Sequence, residues 1–321
     1  MRVGIALSGR RSAADAVDLA VQAERLGFAE VWLTEDYFER GAFALAGAVA
    51  ASTRSLMIGV GVVNPWTRNP MLTAMEAATL AELAPQRSLL GIGASNRRWI
   101  EDQLGIPFQH PLAALEEAVV IIRTALGGNA VNRPAGIFPT EASLSFSPPL
   151  PIPIVLGVKG CRALELAGRV GDAVLLSILS SPEYVEWSRS KAPGLPVSSY
   201  VAFSCMGDHQ AARERLRPFV ARFLGVHGNH PITSLAGLTP DLAHLFRSGL
   251  LAGSPRVDLV GDAVLDATAI AGDPEHCATG LRRFEGAGLD TAVFHDRGDD
   301  DPAVFLEAIV QVAALAGIGI E

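Results

Sequence analysis

The chain has 321 residues, 49% of them hydrophobic and 19% charged, with a formal net charge of −8. This is enough apolar material for one large α/β barrel or two modest domains, while the negative sign excludes a general nucleic-acid binder, which needs a basic face. Cys161, Cys205 and Cys277 are widely spaced, with no CxxC pair and no Cys/His cluster at metal spacing, so neither a disulfide framework nor a metal site is expected.

The first predicted element is a strand, "RVGIAL" (2–7), with no basic region and apolar stretch of signal length ahead of it. No run approaches the roughly 18 apolar residues of a spanning helix, so a cytoplasmic protein with no membrane partner is expected. Apolar positions at helical spacing over 12–27 end at a glycine. Strand 29–34, helix 42–52, strand 55–63, helix 70–84, strand 88–93 and helix 111–126 follow. Residues 127–150 break the rhythm with Pro134, Pro139, Pro148 and Pro149, and read as an insertion, with a hairpin as one form.

The alternation resumes with strand 151–157, helix 160–171, strand 172–177, helix 181–190, strand 196–204 and helix 209–224. Residues 225–256, rich in Gly, Pro and His, read as a second irregular region. Strand 289–295 and helix 302–316 close the chain. Eight near-continuous apolar strands, each followed by a helix, predict a (β/α)8 TIM barrel with insertions, a single domain over 1–321. A doubly wound open sheet is the competing reading.

A barrel keeps its chemistry at the C-terminal strand ends. After the second strand, "WLTEDYFERGAF" sets Glu35 and Asp36 beside aromatic residues, either as acid/base groups or as a solvated loop. After the third, in "GVGVVNPWTRNP", Gly59 and Gly61 permit close backbone approach, and Pro65 and Pro70 stiffen the turn. Arg68 there is either an anion contact or a surface ion pair.

After the fourth strand, "GIGASNRRW" offers Ser95, Asn96, Arg97 and Arg98; its two glycines make only a weak dinucleotide signal, since the third is absent. After the fifth, "IVLGVKGCRALELAG" places Gly157, Lys159, Gly160 and Arg162 at a helix start, where free N–H groups and the dipole suit a phosphate. The histidines fall mostly in the irregular regions and read as surface or loop residues. No GxSxG, HExxH or Walker pattern occurs.

Together these segments resemble the bacterial-luciferase-like superfamily of flavin- and deazaflavin-dependent oxidoreductases, from Met1 to about Gly171 and again over 271–294. "GVVNPWTRNP" is similar to the GVTNPYTRHP-type segment of methylenetetrahydromethanopterin reductases, which use the deazaflavin coenzyme F-420. "LLGIGASNRRWIEDQLGIPFQHPLAALEEAVVIIRTAL" is similar to a segment of actinobacterial F-420-dependent oxidoreductases.

The resemblance implies a cofactor ring across the strand mouths, F-420 or alternatively FMN. A bulge or non-prolyl cis peptide at Gly61–Val62 would back the ring, with Asn64, Ser95 and Asn96 nearby, and the phosphate would sit on Gly157, Lys159, Gly160, Cys161 and Arg162. It also implies a small-molecule substrate and a homo-oligomer, most simply a dimer. Two departures stand out. The family's second-strand loop commonly carries Asp-His or Glu-His where this chain has Glu35-Asp36, and Asn96 replaces a histidine. Proton transfer is therefore left to Asp36 or Glu35. An FMN-dependent monooxygenase and a flavin or deazaflavin binder without turnover are the alternatives.

Overall fold

The computed structural model describes residues 1–146 and 151–320. Its elements run β1 (Arg2–Leu7), α1 (Ala13–Arg25), β2 (Glu30–Leu33), α2 (Ala42–Ser52), β3 (Met57–Val63), α3 (Pro70–Leu83), β4 (Ser88–Gly93) and α4 (Pro111–Leu126). A hairpin of β5 (Val131–Arg133) and β6 (Thr140–Ala142) follows, then β7 (Ile154–Gly157), α5 (Cys161–Val170), β8 (Ala173–Leu176) and α6 (Pro182–Lys191). The last third holds β9 (Val197–Val201), β10 (Phe203–Cys205), α7 (His209–His227), α8 (Pro231–Ser234) and α9 (Pro240–Leu251). It ends with α10 (Asp262–Thr268), β11 (Ile270–Gly272), α11 (Pro274–Gly286), β12 (Thr291–Asp296) and α12 (Pro302–Ala316).

Local chemistry explains the boundaries. Ser12 caps α1 by accepting from the Asp15 amide, and Ala16, Leu19, Ala20 and Ala23 turn one stripe onto the strands. Asn69 caps α3 with Pro70 in the first turn, so the rigid turn after β3 ends as a helix start. The eight strands β1, β12, β9, β8, β7, β4, β3 and β2 close in that order into a barrel, and all its neighbouring pairs are parallel.

The barrel interior is filled by Ala6, Trp32, Val155, Leu175 and Val293, with Val62 and Tyr200 above them. Trp32 donates its indole N–H to buried Glu30 at 2.8 Å. A Cβ on Gly59 or Gly61 would run into the Trp32 ring, and one on Gly91 would come within 2.9 Å of it. These glycines therefore make room for Trp32, which corrects their reading as space for a bulky ligand.

Two further expectations change. The 127–150 insertion contains the predicted hairpin, with Val131 opposite Ala142, while residues 147–150, including Pro148 and Pro149, lie outside the described residues. Residues 225–256 are largely helical, not irregular. Thr239 caps α9 ahead of Pro240, Phe246 is fully buried, and a Cβ on Gly225 would meet the Phe246 carbonyl at 2.7 Å. The glycine there is a helix–helix contact. Strand 196–204 also divides: β9 stays in the barrel, and β10 pairs with β11 outside it. Among the described residues, no helix is long and apolar enough to cross a membrane.

Candidate active site

The β3 end forms a bulge. Val60 pairs with Leu90 and Val63 with Ile92, so one extra residue of β3 stands out of register. The Gly61–Val62 peptide is cis, as expected. Tyr200 on β9 donates its hydroxyl to the Gly61 carbonyl at 2.8 Å across the barrel. Val62 is wedged between β4 and β7: a Cβ on Gly93 would lie 3.0 Å from its Cγ2, and one on Gly157 only 2.5 Å from its Cγ1. Gly157 thus serves the seating of Val62. Asn64, expected beside a cofactor, is buried and committed to its own turn, where Oδ1 accepts from the Trp66 and Thr67 amides at 3.0 and 3.1 Å and Nδ2 donates to Tyr37.

After β2 the two carboxylates part company. Glu35 binds Arg68 at 3.2 Å, and the Arg68 guanidinium also lies 5.0 Å from the Phe43 ring centre. Both are engaged with each other, so Arg68 is an internal ion pair and Glu35 is not a free acid. Among the described residues Asp36 forms no salt bridge. Burial, reinforced by Glu39, raises its pKa above the usual carboxylate value, against the opposing effects of Thr34, Arg222 and Arg10. Tyr37 shares a hydrogen bond with Thr67 at 2.9 Å and meets the Trp99 ring edge-on.

After β4, Ser95 takes a left-handed backbone at φ 61°, and its buried hydroxyl has no partner among the described residues. Asn96 is exposed and accepts from the Trp99 amide at 3.1 Å, opening a π-helical turn over Arg98–Gln103. Arg97 pairs with Glu101 and lies over the Phe108 ring. The local charge of this segment is therefore partly cancelled.

After β7, Gly160 stands at the N-cap of α5 with no side-chain cap, leaving the first amides open. Lys159 is half-buried; desolvation, then the charge of Arg247, lowers its pKa, and neither residue forms a salt bridge among the described residues. His230 accepts from the Ile232 amide through Nδ1, so Nε2 carries the proton, and a Cβ on Gly160 would lie 3.8 Å from it. Burial, then Lys159, pushes the His230 pKa down to about 4 and that of His227 to about 3. His227 donates from Nε2 to the Ile178 carbonyl at 2.8 Å and, among the described residues, leaves Nδ1 without a partner. Two expected members fall away from this pocket. The Cys161 thiol bonds Glu165, which raises its pKa. Arg162 is exposed in a groove between α4 and α5 with Glu116, Glu165 and Arg169.

One residue went unread in the sequence. Ala6 pairs with Trp32 on one side and His295 on the other, which turns the His295 ring into the barrel mouth above Val293. The ring stands edge-on to Tyr200 at 6.2 Å, and its buried Nδ1 has no partner among the described residues. Burial, aided by Arg10 and Arg297 and opposed by Asp296, lowers its pKa to about 4. The signal was present: His295 lies two residues beyond Val293 on an alternating strand, but loop composition drew attention to the other histidines.

Among the described residues, the rim thus collects buried polar atoms without hydrogen-bond partners, on Ser8, Ser95, His227 and His295. Such atoms are rare in folded proteins and suit a polar ligand that completes them. A ring-bearing, phosphorylated cofactor fits this donor set: an apolar Val62 platform, isolated hydroxyls, and a basic pocket beside an open helix end.

The sequence pattern of the family described as luciferase-like monooxygenase matches residues 1–291. The chain is 31% identical over 289 residues to a 5,10-methylenetetrahydromethanopterin reductase of Archaeoglobus fulgidus, covering 84% of this chain and 86% of that protein. It is 25% identical to an F-420-dependent glucose-6-phosphate dehydrogenase of Amycolatopsis mediterranei, over 89% of each. In fold it is similar to the coenzyme F-420-dependent tetrahydromethanopterin reductase of Methanopyrus kandleri, with TM-score 0.81, 22% identity and 97% of each chain covered. It is similar also to an F-420-dependent secondary alcohol dehydrogenase bound to an F-420–acetone adduct, with TM-score 0.80, 19% identity and 98% of each chain covered. The strand-end segments and the barrel therefore carry one conclusion: the chain belongs to the luciferase-like monooxygenase family.

Proposed function

We propose that this protein is an oxidoreductase that binds the deazaflavin coenzyme F-420 and exchanges a hydride and a proton with a small organic substrate. The observation that carries the reading is the pairing, across one barrel mouth, of the bulged Val62 platform with the basic Lys159 pocket. The names of the relatives support the choice of cofactor. When bound, the deazaflavin supplies the hydride chemistry.

The chain's own residues bind, orient and move the proton. Val62 supports the ring face, Ser95 offers a hydroxyl, and the open amides of α5 with Lys159 and His230 receive the phosphate. Asp36, whose neutral form burial favours, gives a proton to the reduced substrate and takes it back in the reverse direction, while His295 offers a further polar contact at the same mouth. A homodimer is proposed as the assembly.

The test is turnover under anaerobic and aerobic conditions with reduced F-420 and a panel of ketones, enones and imines. Oxidation of the coenzyme that needs one of these substrates, and proceeds without oxygen, is the expected result. Turnover seen only with reduced FMN and oxygen would favour the monooxygenase reading, and none with either would favour a binder.

A further inference from the structure

Two of the three cysteines, too far apart in sequence to suggest a pair, meet in the fold. Cys205 ends β10 opposite Gly272 of β11, and Cys277 lies in the first turns of α11, which begins just after that rung. The Cys277 sulfur sits 3.6 Å from the Gly272 carbonyl and 3.8 Å from that of Ser204, so it rests on the rung next to Cys205. The two thiols are close enough to influence each other's ionisation. Cys277 is sealed in the core, and Cys205 is half-exposed. Cys161 stands apart, bonded to Glu165.

We propose that Cys205 and Cys277 form a reversible dithiol–disulfide site that reacts with low-molecular-weight disulfides. The exposed sulfur reacts first. The Cys205 thiolate attacks one sulfur of the reagent, a new S–S bond forms, and one thiolate leaves. The Cys277 sulfur then attacks the Cys205 sulfur of the mixed disulfide, giving its proton to the second departing thiolate. The protein loses two electrons and two protons, and the reagent becomes two thiols.

The surroundings favour this order. The neighbouring Cys277 thiol lowers the Cys205 pKa below the ordinary range while its own is raised, with nearby Asp273 opposing the charge on either sulfur. Asp273 is in turn engaged by His209 at 3.0 Å, and His276 by Asp266 at 3.2 Å. Closure would tie α11 to β10, at the root of α7.

The experiment treats the full chain with oxidised glutathione, quenches with an alkylating agent, and reads intact mass and peptide maps. The expected product lacks two hydrogens, carries a Cys205–Cys277 cross-link, keeps Cys161 alkylated, and reverts with a dithiol reductant. Cys277→Ser should stop at one glutathionyl group on Cys205, and Cys205→Ser should form no cross-link. A stable glutathionyl adduct on the unaltered protein, a cross-link through Cys161, or failure of Cys205 to react would each overturn the proposal. The map of the unaltered protein decides even if a variant fails to fold.

Discussion

Asp36 is a carboxyl group whose neutral form the fold favours, and that direction has two consequences. Its folded pKa lies above the unfolded one, so its contribution to stability is present at low pH and is lost as pH rises through the folded value. Asp36→Asn should therefore leave the protein no less stable at neutral pH while lowering kcat by about 10²–10⁴-fold, with cofactor affinity kept. Equal turnover in the two proteins would remove Asp36 from the chemistry. Histidines 227, 230 and 295 behave in the opposite sense, with folded pKa values of about 3, 4 and 4. The unfolded chain binds more protons below its ordinary histidine pKa of about 6.5, so stability should fall as pH drops from there toward 4. Thermal melts across that window read this directly, and a melting temperature that stays flat would mean that these rings are not held neutral. Gly59 and Gly61 were legible in sequence as special positions, but the reason was not, because the Trp32 ring that needs them lies in another strand.

At the scale of elements, the site is a bulge held by one long-range bond and a helix end held open. Tyr200→Phe leaves the Gly61 carbonyl without its donor, which should cost about 1–3 kcal/mol in denaturant unfolding. It should weaken the cofactor more than Thr79→Ala, on the exposed face of α3, does. A Tyr200→Phe protein of unchanged stability and affinity would show that the bulge stands without this bond. For the α5 pocket, Lys159→Gln with His230→Gln should weaken a phosphorylated cofactor by about 1–3 kcal/mol in calorimetry, while Arg162→Ala should not. The reverse ranking would move the phosphate to the α4–α5 groove. Most strands were readable because each is buried on both faces as one apolar run. The helices α8 and α9 were not, because Gly225 and the prolines that start them resemble loop composition until the packing against Phe246 is seen.

The whole molecule joins a negative chain to a mouth with a basic side. The net charge is −8, yet among the described residues Lys159 and Arg247 have no carboxylate partner, while Arg68 and Arg97 are neutralised by Glu35 and Glu101. The basic side is thus smaller than the strand-end arginines suggested, and lies at α5. The barrel and its closure followed from the strand count, whereas the annex of α7, α9 and α10 that covers the β9 side depends on contacts between distant segments. Light scattering should give twice the mass of one chain, and a monomer at micromolar concentration would contradict the proposed dimer.

The central claim is that this mouth is built for a deazaflavin with an anionic tail, and parallel equilibrium titrations of F-420 and FMN at low and high salt test it most directly. Positive charge at the mouth loses its hold on an anion as salt screens it. F-420 should bind more tightly than FMN, and its affinity should fall more steeply with salt. Equal affinities with equal salt dependence, or tighter binding of FMN, would contradict the account.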